Sequence, residues 1–424
     1  MASHTLAEGT RAFTAKDSSD NDVSGQNVCA GEEITFEVKV KEGTPSLAAG
    51  DSLDLTCRWL DGTTELSEQN DTLNSGGTVT FQLKKSDFAP GDHTVKPEIT
   101  GTPWPNELCE LKPAGITFTI LSVELKDGDT VIDENQYAYI DGDPEMPQLT
   151  ARLKPDGLSG NAKWQLFIEY KREDRDDEEY YPGPNADSWK TVAASEAWNI
   201  ADDFGENFRG GKCSLKFEYE ETECQFIFHI RGYNPTEAAA KNYLNANGPW
   251  YAYCIAKHES GTQNNRTYLQ FNELGTLGPN WNDYQYCPNR GPSSPRDWGM
   301  MQLTQFATEY GGEERQPYEQ ELWNWKENVD TAIDVMDVKK QEVQQHLKNM
   351  APDGAGGYIM PPDTTVSGVE FKSGTAKTSD QLGFIKRYNA GWFWTAYDEE
   401  TEEWTHVTLD GNDYTEKVLN EYEE

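Results

Sequence analysis

Three short segments near the end of the chain carry side chains that could perform acid–base chemistry. The first contains Glu259 and Ser260, in the last turn of a helix predicted to begin at Pro249 and to end at Gly261. A carboxyl group there faces the negative end of the helix dipole, which disfavours its ionisation. If aromatic neighbours also exclude water, Glu259 keeps its proton near neutral pH and can serve as a general acid.

The other two segments follow Glu259 in the chain. Residues 297–302 read DWGMMQ, and residues 386–391 read KRYNAG. The motifs of several other chemistries are missing, since the sequence has no P-loop, no strand-bound dinucleotide glycines and no Gly-x-Ser-x-Gly elbow. We therefore expect no cofactor. We also expect no metal site, because the seven cysteines form no Cys-x-x-Cys pair.

In this order, the three segments resemble the catalytic motifs of soluble lytic transglycosylases and goose-type lysozymes: Glu-Ser, then Gly-Leu-Met-Gln, then Ala-Tyr-Asn-Ala-Gly. The resemblance covers about residues 233–424. It implies that Glu259 protonates the glycosidic oxygen between N-acetylmuramic acid and N-acetylglucosamine, then removes the proton of the muramyl 6-hydroxyl and closes a 1,6-anhydro ring. The residues that it implies in substrate binding or support are Ser260, Met301, Gln302, Tyr388 and Asn389.

A second carboxylate would change the product. Most glycosidases use two carboxyl groups, of which the second acts as a nucleophile or activates water. Asp283 and Asp297 are the candidates, because both lie between the first and second segments or at the start of the second. If either faces Glu259, peptidoglycan hydrolysis by a muramidase becomes the alternative. A further alternative is a glycan-binding or structural component of a phage or secretion apparatus without catalysis.

The charge of the chain excludes one class of partner and its hydropathy another. The 74 acidic and 36 basic residues give a formal charge of −38, which repels the phosphates of nucleic acids. No apolar run approaches the roughly 20 residues that a membrane span needs. The expected partners are peptidoglycan glycan strands, together with a delivery machine or an immunity protein.

Localisation and disulfide state are connected. Peptidoglycan lies outside the cytosol, but the first residues lack the apolar core of a signal peptide. We therefore expect action in the periplasm or cell wall after export by a specialised route, delivery with a phage, or loss of a leader. The spacing of Cys213 and Cys224 suits a hairpin disulfide, while buried free thiols are equally compatible with the sequence.

The elements that must position these segments begin with two series of short strands. From Ile34 to Val40 apolar residues alternate with polar ones, and the same period of two recurs along the chain up to Ile230, with turn residues between the strands. Each series has the size of an immunoglobulin-like sandwich. We predict one β-sandwich over residues 1–121 and a second over residues 122–232.

After Gly232 the spacing becomes helical. Thr236 or Asn234 caps a predicted helix, a long helix follows Pro317 up to about Met350, and shorter helices are predicted near 379–388 and 414–422. The fold class expected for the chain is therefore two all-β immunoglobulin-like sandwiches followed by a mainly α, lysozyme-like catalytic domain over residues 233–424. We also expect this last domain to fold by itself.

Overall fold

Strands dominate the computed structural model of the chain, at 42% against 20% for helices. The structure describes residues 6–43, 47–102, 109–171, 176–182, 188–274, 285–290, 297–303, 306–307, 314–406 and 413–423.

Alternating apolar residues build the first β-module, residues 1–121. In its third strand the side chains of Ile34, Phe36, Val38 and Val40 are buried and those between them are not, as a half-buried strand requires. The strands are β1 (Leu6–Lys16), β2 (Asn27–Cys29), β3 (Ile34–Glu42), β4 (Ser52–Asp61), β5 (Thr64–Asn74), β6 (Thr78–Lys85), β7 (Gly91–Thr102), β8 (Cys109–Leu111) and β9 (Ile116–Asp127). One sheet has the order β1-β3-β6, and β5, β4, β7 and β9 lie side by side in another.

The second β-module, residues 122–232, continues from the first without a break in the sheet. Its elements are β10 (Thr130–Ile132), β11 (Tyr137–Ile140), β12 (Leu149–Lys154), β13 (Asn161–Lys171), β14 (Asp176–Tyr181), β15 (Lys190–Ala193), β16 (Ala197–Asn199), α1 (Ala201–Phe204), β17 (Gly211–Tyr219) and β18 (Thr222–Gly232). The long strand β9 pairs with β7 in the first module and with β12 in the second. The facing sheet has the order β11-β18-β17-β13-β14.

A disulfide joins the two modules. Cys29 at the end of β2 is bonded to Cys224 in β18, across 195 positions of sequence. The hairpin pairing of Cys213 with Cys224 is therefore wrong. In the β17–β18 ladder Cys213 lies opposite Phe228, and its buried thiol is free.

The C-terminal region, residues 233–424, combines helices with short hairpins and long loops. Its elements are α2 (Glu237–Asn247), α3 (Ala252–Ser260), β19 (Phe306–Ala307), β20 (Glu314–Arg315), α4 (Glu319–Trp323), α5 (Trp325–Met350), β21 (Thr364–Val366), β22 (Val369–Phe371), α6 (Gln381–Tyr388), β23 (Trp394–Asp398), β24 (Glu403–His406) and α7 (Tyr414–Leu419). Thr236 caps α2 by accepting a hydrogen bond from the amide of Ala239, at 3.1 Å.

The prediction of a mainly α lysozyme-like domain is wrong. Among the described residues from Gly261 to Tyr318 no helix occurs, and the chain there is held by turns and isolated bridges such as Trp298 with Leu303. The long helix predicted after Pro317 is also interrupted, because Asn324 ends α4 and caps α5. Helical spacing located helix starts correctly, but it says nothing about the length of the irregular chain between them.

The second β-module and the C-terminal region share one buried core. Strand residues such as Trp164 and Leu215 belong to the same apolar cluster as Phe271, Trp298 and Trp323, which lie far beyond Gly232 in the chain. The ring of Trp323 contacts Tyr170 of β13 at 5.2 Å between centroids. It also lies so close to Gly210 that a side chain at that position would clash with it. A second core, formed by α2, α3, α5, α6 and α7, lies wholly within the C-terminal region.

Candidate functional site

Glu259 lies in the last turn of α3, as predicted. Gly261 follows with a φ of +66°, a left-handed conformation that glycine adopts without strain and that ends the helix. The phenol of Tyr414, the first residue of α7, donates a hydrogen bond to Oε1 of Glu259. The C-terminal helix therefore reaches back to the carboxyl group.

The surroundings of Glu259 favour its protonated form. Burial raises its pKa above the ordinary value, the hydrogen bond from Tyr414 lowers it, and the charge of Asp297 raises it. The balance of the three is upward. A carboxyl group that keeps its proton at higher pH than usual is suited to donate that proton.

Tyr388 connects this carboxyl group with the second segment. It ends α6, and its hydroxyl donates to the carbonyl oxygen of Met301 at 2.8 Å. Burial raises the pKa of Tyr388, and the charges of Glu259 and Asp297 raise it further. Tyr388 is therefore near both carboxyl groups and remains a neutral hydrogen-bond donor. We call Glu259, Asp297, Tyr388 and Tyr414 the acid site.

The second segment forms a tight turn. Trp298 and Leu303 exchange backbone hydrogen bonds at 2.8 and 2.9 Å, which closes the loop between them. Gly299 has a φ of +77°, and a side chain there would meet Oε1 of Gln270 at 2.7 Å, so both the backbone conformation and the space require glycine. This turn brings the carbonyl of Met301 to Tyr388.

Buried amide side chains hold the turn in place. The amide of Met301 donates to Oδ1 of Asn328 at 2.9 Å, and that of Met300 donates to Oε1 of Gln270 at the same distance. Gln302 itself turns inward, since its Nε2 donates to the carbonyl of Gly299 at 2.7 Å. In this structure Gln302 therefore stabilises the turn.

The remaining predicted residues differ in their placement. Ser260 is buried, and its carbonyl accepts a hydrogen bond from Nδ2 of Asn289 at 3.1 Å. Asn389 is exposed and caps α6, and within the described residues no hydrogen bond joins it to Glu259. Asp297 is half-buried at the start of the turn, whereas Asp283 lies outside the described residues.

Sequence reasoning missed Tyr414. A signal was present, because Asp413 is a good helix cap and is followed by the apolar residues Val418 and Leu419, both buried in α7. Spacing alone could not show that the first residue of this helix contacts a carboxyl group 155 positions earlier. In the described part of the chain, no group of three metal-ligating side chains is assembled, and no helix is long and apolar enough to cross a membrane.

Comparisons with known proteins give β-sandwich neighbours of very low similarity. No family model and no curated protein matches the chain. The C-terminal domain of the Streptococcus pyogenes antigen I/II-family protein AspA is 10% identical, with a TM-score of 0.20, and the match covers 51% of this chain and 98% of that domain. The C-terminal domain of the Streptococcus agalactiae antigen I/II polypeptide BspA is 9% identical, with a TM-score of 0.20 and coverages of 54% and 100%. A tandem of titin immunoglobulin domains is 10% identical, with a TM-score of 0.17 and coverages of 53% and 100%.

These findings correct the family assignment made from the sequence. The neighbours include adhesin domains and an immunoglobulin tandem, no lytic transglycosylase is found among them, and the structure is mostly β. The immunoglobulin-like character predicted for the N-terminal modules is supported. The assignment to the lytic transglycosylase and goose-type lysozyme superfamily is wrong. The three short motifs correspond to a helix end, a turn and a second helix end, and they do not specify the fold of the chain that surrounds them.

Proposed function

We propose that the protein cleaves glycosidic bonds of peptidoglycan, with Glu259 as the general acid. The observation that carries this proposal is the acid site itself: a half-buried carboxyl group with a raised pKa, one tyrosine donating to it and another beside it. We propose as its substrate the β-1,4 bond between N-acetylmuramic acid and N-acetylglucosamine, which the muropeptide experiment below tests directly.

The chemistry needs Glu259 to give up one proton and then to take up another. Protonated Glu259 donates to the glycosidic oxygen while the bond from that oxygen to the muramyl C1 breaks, and N-acetylglucosamine leaves with a free 4-hydroxyl. The muramyl 6-hydroxyl then attacks C1 and returns its proton to Glu259, which yields the 1,6-anhydro product. The Tyr414 phenol stabilises the carboxylate between these steps, because it already donates to Oε1.

One observation favours a second candidate, which is hydrolysis. The charge of Asp297 acts on both Glu259 and Tyr388, so this carboxylate lies near these two members of the acid site. A second carboxylate in that place could activate water in place of the muramyl hydroxyl. Both candidates need Glu259, and they differ only in the product and in the role of Asp297.

Mass spectrometry of muropeptides released from purified peptidoglycan tests the proposal. We expect Glu259→Gln to abolish release, because the amide keeps the shape but cannot supply the proton. Anhydro products resist borohydride reduction and identify transglycosylation, while reducing ends that are lost in Asp297→Asn identify hydrolysis. Full release by folded Glu259→Gln, or binding of glycan without any cleavage by the wild type, contradicts the enzyme proposal.

The disulfide supports a place of action outside the cytosol. Disulfides persist in oxidising compartments and are rare in the reducing cytosol. The Cys29–Cys224 bond therefore fits a protein that meets peptidoglycan in the periplasm or the cell wall. A delivery machine or an immunity protein as partner stays a prediction from the sequence.

A further inference from the structure

A buried ion pair joins the two helices that carry the tyrosines of the acid site. Nζ of Lys386, in α6, lies 3.4 Å from Oδ1 of Asp413, and their side chains are 5% and 0% exposed. Tyr388 is two residues after Lys386, and Tyr414 directly follows Asp413. The pair is therefore next to both tyrosines in sequence.

Each member of the pair is also fixed on its own side. Oδ1 of Asp413 accepts a hydrogen bond from the amide of Thr415 at 2.7 Å and so caps α7. The Lys386 side chain runs under Gly391, where a Cβ atom would lie 2.7 Å from its Cε. Asp413 is therefore tied to the first turn of α7, and Lys386 packs against the chain that follows α6.

The geometry of the pair is poor for stability alone. Two buried charges lose hydration, and a buried pair repays that loss only when the remaining hydrogen-bonding positions are satisfied. Within the described residues Oδ2 of Asp413 is buried and has no hydrogen-bond partner. An apolar contact between α6 and α7 would stabilise the fold at least as well, so the pair calls for another role.

We propose that Lys386 and Asp413 are positioning residues, which hold α7 against α6 so that the Tyr414 phenol meets Glu259. The effect on catalysis rests on the proposed function, whereas the effect on Glu259 does not. The titratable groups that act on Glu259 are Tyr414, through its hydrogen bond, and Asp297, through its charge. Tyr388 lies beside it, and the ring of His258 packs edge-on against Tyr414 at 5.4 Å between centroids.

Asp413→Asn is the variant that isolates the charge. Asparagine caps a helix as well as aspartate does, so α7 keeps its cap and loses only the ion pair. The readout is the pKa of Glu259 in the full chain, from carboxyl-carbon NMR with the signal assigned by Glu259→Gln. We expect this pKa to rise toward its value in Tyr414→Phe, because the hydrogen bond from Tyr414 lowers it in the wild type.

A double-variant comparison decides whether the pair acts through Tyr414. In the Tyr414→Phe background, Asp413→Asn should cause no further rise in the Glu259 pKa. Glu342→Gln is the matched control, since it removes the charge that Glu342 places 2.6 Å from Arg387 of the same helix α6 and should leave the Glu259 pKa unchanged. If Asp413→Asn fails to fold, Lys386→Met combined with Asp413→Asn removes both buried charges and is measured in the same way.

Kinetics add a second readout. We expect Asp413→Asn to lower kcat by about 10- to 100-fold with little change in KM, as misplaced catalytic groups do. An unchanged Glu259 pKa in Asp413→Asn, or equal shifts with and without Tyr414, overturns the positioning role. If the wild type releases no muropeptides, the proposed function fails, but the NMR titration still tests the pair.

Discussion

The two β-modules are built from the same strand pattern, but they differ in which parts of the chain supply their buried cores. The first module takes all the members of its buried core from residues 15–120. The second begins at Leu121 and includes Phe271, Trp298 and Trp323 from the C-terminal region. The first module builds its core from its own residues, whereas the core of the second is completed by the region that carries the acid site.

This difference connects the second module with the chemistry. Trp298 contacts Tyr170 of β13 at 6.1 Å between ring centroids, and it is the first residue of the turn that presents Met301 to Tyr388. Asp297 directly precedes it. A strand of the second β-module therefore supports one side of the acid site, whereas no residue of the first module's core belongs to the C-terminal region.

The largest expected effect comes from separating the regions at Gly232. A fragment of residues 233–424 exposes Phe271, Trp298 and Trp323, so we expect it to lack a cooperative unfolding transition by circular dichroism. This is the opposite of the independent folding expected from helical spacing. A fragment of residues 116–424 with Cys224→Ser keeps the shared core and should unfold cooperatively. A folded and active 233–424 fragment would show that the shared core is dispensable.

Two buried tryptophans test the comparison with single substitutions. Trp323→Ala and Trp59→Ala each remove a ring that is almost fully buried, and each should cost about 3–5 kcal/mol of unfolding free energy. Only Trp323→Ala should also lower muropeptide release, because Trp59 lies in the first module's core. Denaturant unfolding and product release are measured on both variants. A loss of activity in Trp59→Ala as large as that in Trp323→Ala would contradict the difference between the two modules.

Loss of the disulfide should have a smaller effect. Cys29→Ser with Cys224→Ser removes a cross-link over 195 positions, which we expect to lower the free energy of unfolding by about 2–4 kcal/mol. Reductant should destabilise the wild type to the same extent and leave the double variant unchanged. A double variant that remains sensitive to reductant would indicate another disulfide.

The smallest expected effect is a dependence on pH in β18. Burial, together with the charges of Arg231 and Lys212, lowers the pKa of His229 to about 4. The unfolded chain takes up this proton near the ordinary value of about 6.5, so stability is complete above that pH and declines as the pH falls toward 4. His229→Phe should flatten part of this decline in thermal unfolding measured at pH 7 and pH 5. His258 and His346 also have lowered pKa values, so the part of the decline in stability that they cause remains in the His229→Phe variant.

Local patterns in the sequence were sufficient to predict several helices and strands and the position of one residue of the acid site. Alternation located β3, the cap at Thr236 located α2, and the helix end at Gly261 placed Glu259 correctly. The same patterns could not find contacts between distant positions. The Cys29–Cys224 bond, the Tyr414 hydrogen bond and the shared core each join residues more than 100 positions apart.

The contacts of Gly299 show what the residue types of the second segment could not predict. Gly299 signals a tight turn by its residue type, yet the need for it comes from Gln270 and Asn328, whose side chains approach its backbone from other segments. Residue types that suit a turn occur in many folds. Residue types in three short segments therefore could not establish the family.

The Cys29–Cys224 bond also determines how the chain would respond to being pulled. Tension applied between the first strand and the C-terminal region travels along the backbone to Cys29, crosses the sulfur atoms and leaves through Cys224 into β18. The loop between the two cysteines carries no load and cannot be drawn out. With at most about 3.3–3.6 Å per residue, this keeps roughly 650 Å of chain out of reach of an external force. Reduction of the bond releases this length, so a reduced molecule can be stretched further than an oxidised one by that amount.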